Sequence, residues 1–529
     1  MSLSDKHPLF VYGSGPDPLV IIAGGLIFDT GEAERTFFYR CQDRFLTYAA
    51  LLGWQTLFFA ASEDHVARYQ KLIRDLAARF AEISEATGLF GMKTIKEPLF
   101  VLLDVETLAV RPSQRLTARL SEAALARSVS HGVALNQISP SYARFLASLD
   151  VMFSTLGIAT NWPLAQAQTD AEQAMRLQDK AAYTEMVRQA KLAEARHLPT
   201  AIINEADLRG VPDWLALTAI FKAQTSTPAT SGLFLKTNRN TSGNVSARFD
   251  SAGFSDSKDA LLAALSRDAA IDRETLKQKA AELAAEVAAN PALCDHAFAP
   301  DVLAELVKEQ ALMRRDLAFL LQPDLHRGPE KSRPIGLGVS YMITDTGAQR
   351  FGLNAQMYTD AARMHFLGPY FGPEVESFCD AGMLADCAAL ADHIARSGYR
   401  GPINFDLILD RAGCYRFVHD CNPRLTGIFP TLAVKWGIVG DDEVSVMSSG
   451  YRGEVVLPSL APKLTTLQAA GLLLTRAQSR GVVLLPNLSA PQGYDLHVVG
   501  YPLEEALALL APGGAITTAL GQAVMRLKL

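Results

Sequence analysis

Apolar runs alternate with amphipathic, helix-length stretches through the first third of the chain. Residues 19–25 (LVIIAGG) form a short apolar run ending in paired glycines, the pattern of a buried strand leading into a tight loop. Residues 54–60 (WQTLFFA) and 99–105 (LFVLLDV) predict two further strands. Ser62 is placed to cap a helix after the second, with Glu63 and Asp64 at its electropositive N-terminal end. Another helix is predicted from about Ser113. Strands alternating with helices imply a parallel sheet covered on both faces, and residues 1–165 are read as one α/β domain.

The pattern then changes. Residues 170–195 are charged and helical in spacing, and a strand, LFLK, follows at 233–236. Residues 255–320 carry Ala, Leu, Glu and Lys at helical spacing and predict a helical insertion. Beyond Ile335 strands return as GVSYMIT and RFGLNAQMY, then a helix over about 384–397 and the pair INFDLIL and YRFVHDCN. The C-terminal stretch predicts a helix over about 467–479, the strands GVVLLP and YDLHVVG, and the helix PLEEALALLA. The expected division is 1–165, 166–455 and 456–529, the last a small α+β domain.

Composition narrows the possible functions. The 529 residues are 49% hydrophobic and 20% charged, which excludes a mainly disordered or fibrous chain. The net charge is −6 and no basic block appears, so a nucleic-acid groove is not expected. The longest apolar run, near 18–28, is broken by two glycines and falls short of the ~20 residues of a membrane-spanning helix. Cysteines at 41, 294, 379, 387, 414 and 421 have no zinc or disulfide spacing and read as reduced thiols. With no signal-peptide pattern at the N-terminus, the expectation is a soluble, cytoplasmic protein. Gly13-Ser14-Gly15 precedes its strand and Gly24-Gly25 lacks dinucleotide-fingerprint spacing, so both read as turns.

The chemistry concentrates in residues 403–427. Two alternating strands flank a turn containing Gly413, a hairpin signal. With a loop of three or five residues, Asp406, Asp420 and Asn422 fall on one face, because side chains alternate along a strand. Asp406 and Asp420 would then lie opposite or diagonal and repel each other. A divalent cation between them relieves that repulsion. Two acids and an amide are hard oxygen ligands suited to Mg2+ held jointly with ATP phosphates. Arg424 follows closely enough to reach the same phosphates. The alternative is a solvent-facing hairpin whose acids align by chance. Against it stands the run Asp-Cys-Asn-Pro-Arg-Leu-Thr-Gly directly after an apolar strand.

This segment resembles the metal-binding end of the ATP-grasp fold, where an acidic strand is followed by an acid-x-Asn-x-Arg strand end. The resemblance implies further parts, and candidates occur in the expected order. Asp179-Lys180 opens a helix closed by His197-Leu198-Pro199. Lys236 ends a strand before a phosphate-covering loop that contains Gly243. Asn238, Asn240, Thr241 and Ser242 stand there where the family often has glycines. Residues 317–325 (LAFLLQPDL) resemble the adenine-holding hinge, with Gln322 as its polar residue and Leu325 at its end. Arg333 is a candidate contact to phosphate or acyl-phosphate, with a solvated charge as the alternative. Residues 353–368 resemble the stretch lining an acyl site, which makes Gln356 a candidate and leaves His365 as a packed or surface residue.

The whole layout resembles the pheganomycin-type peptide ligases: an α/β pre-ATP-grasp domain, the ATP-grasp domain, and a small C-terminal α+β ligand-binding domain. The activity so implied is an ADP-forming carboxylate–amine ligase using ATP and Mg2+, acting on a small-molecule carboxylate (an amino acid or peptide) and an amine. Lys180 and Lys236 would then neutralise phosphates, Asp406, Asp420 and Asn422 hold the metal, and Arg424 stabilise the transferring phosphoryl group. Neither nucleic acid nor membrane is an expected partner, and a homodimer is compatible with the layout. Two alternatives remain: a ligase with a thiol or hydroxyl acceptor, and a nucleotide-binding module that no longer catalyses.

Overall fold

The computed structural model describes residues 19–22, 47–89, 97–103, 110–119, 132–134, 140–156, 172–238, 246–267, 318–325, 334–358, 366–449, 459–486 and 494–520, apart from isolated positions. The first sheet contains β1 (Leu19–Ile22), β2 (Gln55–Ala60), β3 (Leu99–Leu103), β4 (Val110–Pro112) and β5 (Gly132–Ala134), ordered β4-β3-β2-β1-β5. β1 pairs in parallel with β2 and β5, and β2 with β3. Among the described strands of this sheet, the edge strand β4 alone runs antiparallel. Helix Glu63–Thr87 follows Ser62, and its first turn carries the predicted acids.

A small antiparallel sheet comes next, from β6 (Ala201–Asn204), β7 (Leu233–Thr237), β8 (Ser246–Phe249) and β9 (Ala318–Pro323), ordered β6-β9-β7-β8. It has its own core, in which Phe221 of helix Trp214–Thr225 packs with Leu235, Phe249 and Phe319. Of the helical insertion predicted over 255–320, the helix Phe254–Arg267 is present, residues 268–317 lie outside the described residues, and 318–320 belong instead to strand β9.

The largest sheet among the described residues is antiparallel and eight-stranded. Its strands are β10 (Gly336–Thr344), β11 (Gly347–Tyr358), β12 (Phe366–Phe371), β13 (Gly401–Leu409), β14 (Tyr415–Asn422), β15 (Val446–Ser449), β16 (Gly481–Pro486) and β17 (Tyr494–Val499). The order is β14-β13-β10-β11-β12-β15-β17-β16, so the two C-terminal strands extend the sheet through β15. Helix Met383–Arg396 buries Cys387, Leu390 and Ile394 in the same core as Phe405 and Phe417. The combined α/β and α+β class expected from the pattern is the one observed.

One feature of the C-terminal stretch differs from the sequence reading. The helix expected over about 467–479 instead spans Ala461–Ala469. Pro462 suits its first turn, and Gly471 stops it with a left-handed φ of +68°, a conformation glycine adopts without penalty. Residues Leu503–Leu520 have the length and hydropathy, 1.2, of a membrane span. The backbone divides them into helices Leu503–Leu510 and Ala515–Leu520 around Gly513, whose φ is +79°. Among the described cysteines, Cys379, Cys387, Cys414 and Cys421 are free thiols.

Candidate active site

The hairpin β13–β14 builds the centre of the site. Its loop spans residues 410–414, the five-residue option, with Leu409 paired to Tyr415. Asp410 organises this turn, accepting backbone N–H bonds from Ala412 and Cys414 at 2.8 and 2.9 Å. Gly413 supplies a φ of +81°. The register then shifts between Phe405 and Leu407: Leu407 faces Phe417, but Phe405 faces Cys421. Asp406 therefore stands across from a bulge, residues 418–420. The bulge adds an even number of residues, so the faces are preserved. Tyr415, Phe417, His419 and Cys421 are buried, whereas Arg416, Val418, Asp420 and Asn422 are half-buried on the cleft face. His419 takes a left-handed φ of +53°. For a non-glycine residue this costs roughly 1–3 kcal/mol, which its surroundings must offset.

Asp406 is the hub of an amide belt. It accepts hydrogen bonds from Gln356 at 2.6 Å and Asn404 at 2.7 Å on one oxygen, and from Asn422 at 3.0 Å on the other. Arg424 donates in turn to the Asn422 side-chain Oδ1 at 3.0 Å. The belt is a product of strand register. Gly338 of β10 pairs with both Asp406 of β13 and Asn354 of β11. A Cβ on Gly338 would lie 2.6 Å from Asn354 Oδ1, so the missing side chain is what lets Asn354 lean over the strand. Ser340 donates to Asn404 at 2.9 Å and fixes its amide.

Electrostatically the site is strained in one direction. Burial, together with the charge of Asp420, pushes the Asp406 carboxyl up to about 6. The bonds from Asn404 and Gln356 and the charge of Arg424 pull the other way and do not prevail. Burial likewise lowers the Arg424 guanidinium and the Lys236 ammonium. Lys180 lowers Lys236 further, while Asp420 and Asp406 oppose that shift. Two acids, two lysines and an arginine thus share one partly dehydrated cleft.

The lysines reach it from separate elements. Helix Lys180–Gln189 is capped by Asp179, whose carboxylate accepts from the N–H groups of Ala181 and Ala182 at 3.0 and 3.1 Å. Lys180 is buried, and its Nζ lies 3.6 Å from Asp420 Oδ1. Lys236 comes from β7, near the C-terminal end of that strand. Between them sits Asn238. Expected as a loop residue near phosphate, it is instead buried. Its amide donates to Asp179 at 2.9 Å, its oxygen accepts from Ala318 N–H at 3.2 Å, and its carbonyl accepts from Lys180 N–H at 2.6 Å. Asn238 fastens the lysine helix, β7 and β9 together.

The hinge candidate Gln322 lies on β9 and is buried, its amide donating to Thr200 Oγ1 at 3.1 Å and to the Val418 carbonyl at 3.3 Å. Leu325 follows the strand end and is half-buried. Gly243, Arg333 and His365 lie outside the described residues. The structure therefore brings Lys180, Lys236, Asp406, Asp420, Asn422, Arg424 and Gln356 to one cleft. Sequence reasoning missed Asn404, Asn354 and Ser340. The period-two alternation that placed Asp406 also placed Asn404 on its face, and that signal was available.

Among the described residues no three His, Cys, Asp or Glu side chains converge. A cation here would rest on two carboxylates, neighbouring amides and the ligand's own oxygens. The donor set fits a hard divalent ion.

No family model matches the sequence, and no curated protein sequence matches it. Solved structures with similar chain layouts include an L-amino acid ligase from Bacillus licheniformis, at 9% identity over 93% of this chain and 96% of that one, with a TM-score of 0.40. An ADP complex of N5-carboxyaminoimidazole ribonucleotide synthetase is 10% identical over 93% and 94% of the two chains, with a TM-score of 0.45. A biotin carboxylase from Campylobacter jejuni, in a complex with a β,γ-ATP ligand, is 10% identical over 96% and 94%, also with a TM-score of 0.45.

Proposed function

We propose that this chain is an ATP-grasp-type ligase that uses ATP to join a small-molecule carboxylate to an amine, releasing ADP and phosphate. One observation carries the reading: Lys180, Lys236, Asp406, Asp420, Asn422 and Arg424, from four separate elements, converge on one cleft between the small and large sheets. A surface hairpin with accidentally aligned acids has no reason to collect two buried or half-buried lysines from elsewhere in the chain.

Lys180 and Lys236 supply positive charge for the phosphates. Asp406, Asp420 and Asn422 would hold Mg2+, which when bound polarises phosphate oxygens. Arg424, oriented by Asn422, stabilises charge on the phosphoryl group as it moves. In the first step a carboxylate oxygen bonds to the γ-phosphorus and the bond to ADP breaks. In the second the amine nitrogen bonds to the acyl carbon, phosphate leaves, and the amine proton passes to solvent or a site carboxylate. The finer reading is peptide-bond formation in secondary metabolism, with an amino acid or peptide as the carboxylate. Free thiols and the need for ATP favour the cytoplasm.

The test is product analysis. Incubating the protein with Mg-ATP and pools of amino acids, with intact-mass detection, should show ADP and phosphate formed in step with a condensed product. Stoichiometric AMP and pyrophosphate would sink the proposal.

A further inference from the structure

His419 sits where three parts of the cleft meet. It belongs to β14, immediately before Asp420. Its Nδ1 is 3.0 Å from the hydroxyl of Thr184, one turn along the helix that Lys180 opens. It is also 3.0 Å from the hydroxyl of Thr200, which leads into β6 of the small sheet. Both hydroxyls have already given their hydrogen away, Thr184 to the Lys180 carbonyl at 2.7 Å and Thr200 to the Leu198 carbonyl at 2.9 Å. With the two hydroxyls so directed, the Nδ1–H tautomer completes the set, its one N–H shared between the two oxygens. Thr200 also accepts from Gln322 of β9, whose amide returns to the Val418 carbonyl beside His419. A closed circuit results, running from the metal strand to the lysine helix and to the small sheet.

Two costs are concentrated on this residue. Its backbone is left-handed although it is not glycine. Its Nε2 is buried with no hydrogen-bond partner among the described residues. A residue chosen only to fill space would carry neither, since an apolar side chain in an extended strand removes both. The left-handed residue lies within the bulge opposite Asp406.

We infer that His419 is a positioning residue that pins the small sheet and the lysine helix to the metal strand, so that bound nucleotide and bound cation are felt by one another. This inference rests on the nucleotide-binding reading above. It predicts a specific coupling. Mg2+ should tighten ATP binding in the wild type, and the tightening should depend on His419.

The experiment compares ATP dissociation constants in EDTA and in Mg2+ by calorimetry, for wild type, His419→Gly, His419→Asn and Thr184→Val. Glycine keeps the left-handed backbone and removes the ring. Asparagine tolerates that backbone and offers an amide N–H close to the Nδ1 position. Coupling between sites is typically about 5–150-fold. The Mg2+ enhancement should shrink roughly tenfold in His419→Gly and return to within about threefold of wild type in His419→Asn. Thr184→Val, which loses one acceptor, should fall between, and it decides the matter alone if the glycine variant does not fold. An enhancement unchanged in Thr184→Val and His419→Gly, even with a lower melting temperature, makes His419 ordinary packing and overturns the inference while leaving the ligase reading intact. Wild type without any Mg2+-dependent ATP binding overturns both.

Discussion

The Lys180 ammonium stands 3.6 Å from the Asp420 carboxylate, although the two residues come from opposite ends of the central part of the chain. The pair joins a helix N-terminus to the second strand of the β13–β14 hairpin. It also changes what a lysine substitution should do. Lys180 is 3% exposed, so its stem packs as well as its charge.

Lys180→Met keeps most of that packing and removes the charge. Ligand that binds only the folded state adds roughly 2.7 kcal/mol at a hundredfold excess over its dissociation constant. Lys180→Met and Lys236→Met should each reduce the Mg-ATP stabilisation seen by thermal shift. Lys180→Ala should in addition lower the melting temperature without ligand. Two variants with an unchanged ATP-induced shift would return both residues to ordinary structural roles.

Asp420→Asn and Arg424→Ala should fold and lose turnover. Removing one donor aimed at developing charge commonly costs ~10²–10³ in rate. Arg424 is oriented through Asn422 at 3.0 Å, so Asn422→Ala should show a smaller loss of the same kind. The readout is ADP release at saturating substrates. An Arg424→Ala enzyme near wild-type speed contradicts the assignment.

Gly338→Ala tests the amide belt without touching a charged group. Its new Cβ would meet Asn354 Oδ1 at 2.6 Å and Asn404 Oδ1 at 3.2 Å. Overpacking of this kind typically costs about 1–3 kcal/mol. Chemical denaturation should show that loss. Nucleotide binding should weaken too, because Asn404 donates to Asp406.

The strands were legible where local pattern decides them. LFLK, INFDLIL, YRFVHDCN, GVVLLP and YDLHVVG are all strands in the structure. Which strands pair was not legible, and the site depends on it. Gln356 reaches Asp406 because β11 and β13 flank β10, a register set by the whole sheet. The bulge at His419 carries no glycine or asparagine to announce a left-handed residue. Asn238 looked like a phosphate-loop residue because its neighbours in sequence are small and polar. Its contacts with Asp179 and Ala318 are long-range and invisible to local pattern.

The raised carboxyl of Asp406 gives a pH signature with a definite sign. Its ordinary value is 3.8, and burial with the Asp420 charge moves it to about 6 in the folded protein. Between those values the folded state binds more protons at this group than the unfolded state does. Stability contributed by the group therefore falls as pH rises from about 4 through about 6. Each tenfold change in proton affinity is worth about 1.4 kcal/mol, so the full effect is on the order of 2–3 kcal/mol. Other carboxylates titrate in the same range, so the comparison must isolate this one. Asp406→Asn cannot ionise there. Whatever constant cost its amide brings, the variant should gain on wild type by that amount between pH 4 and pH 7, measured by denaturant unfolding in EDTA. Mg-ATP should erase the difference by favouring ionised Asp406 in the wild type alone. A gap between the two proteins that does not change with pH would mean that Asp406 titrates near its ordinary value and that the two aspartates do not share a dehydrated site.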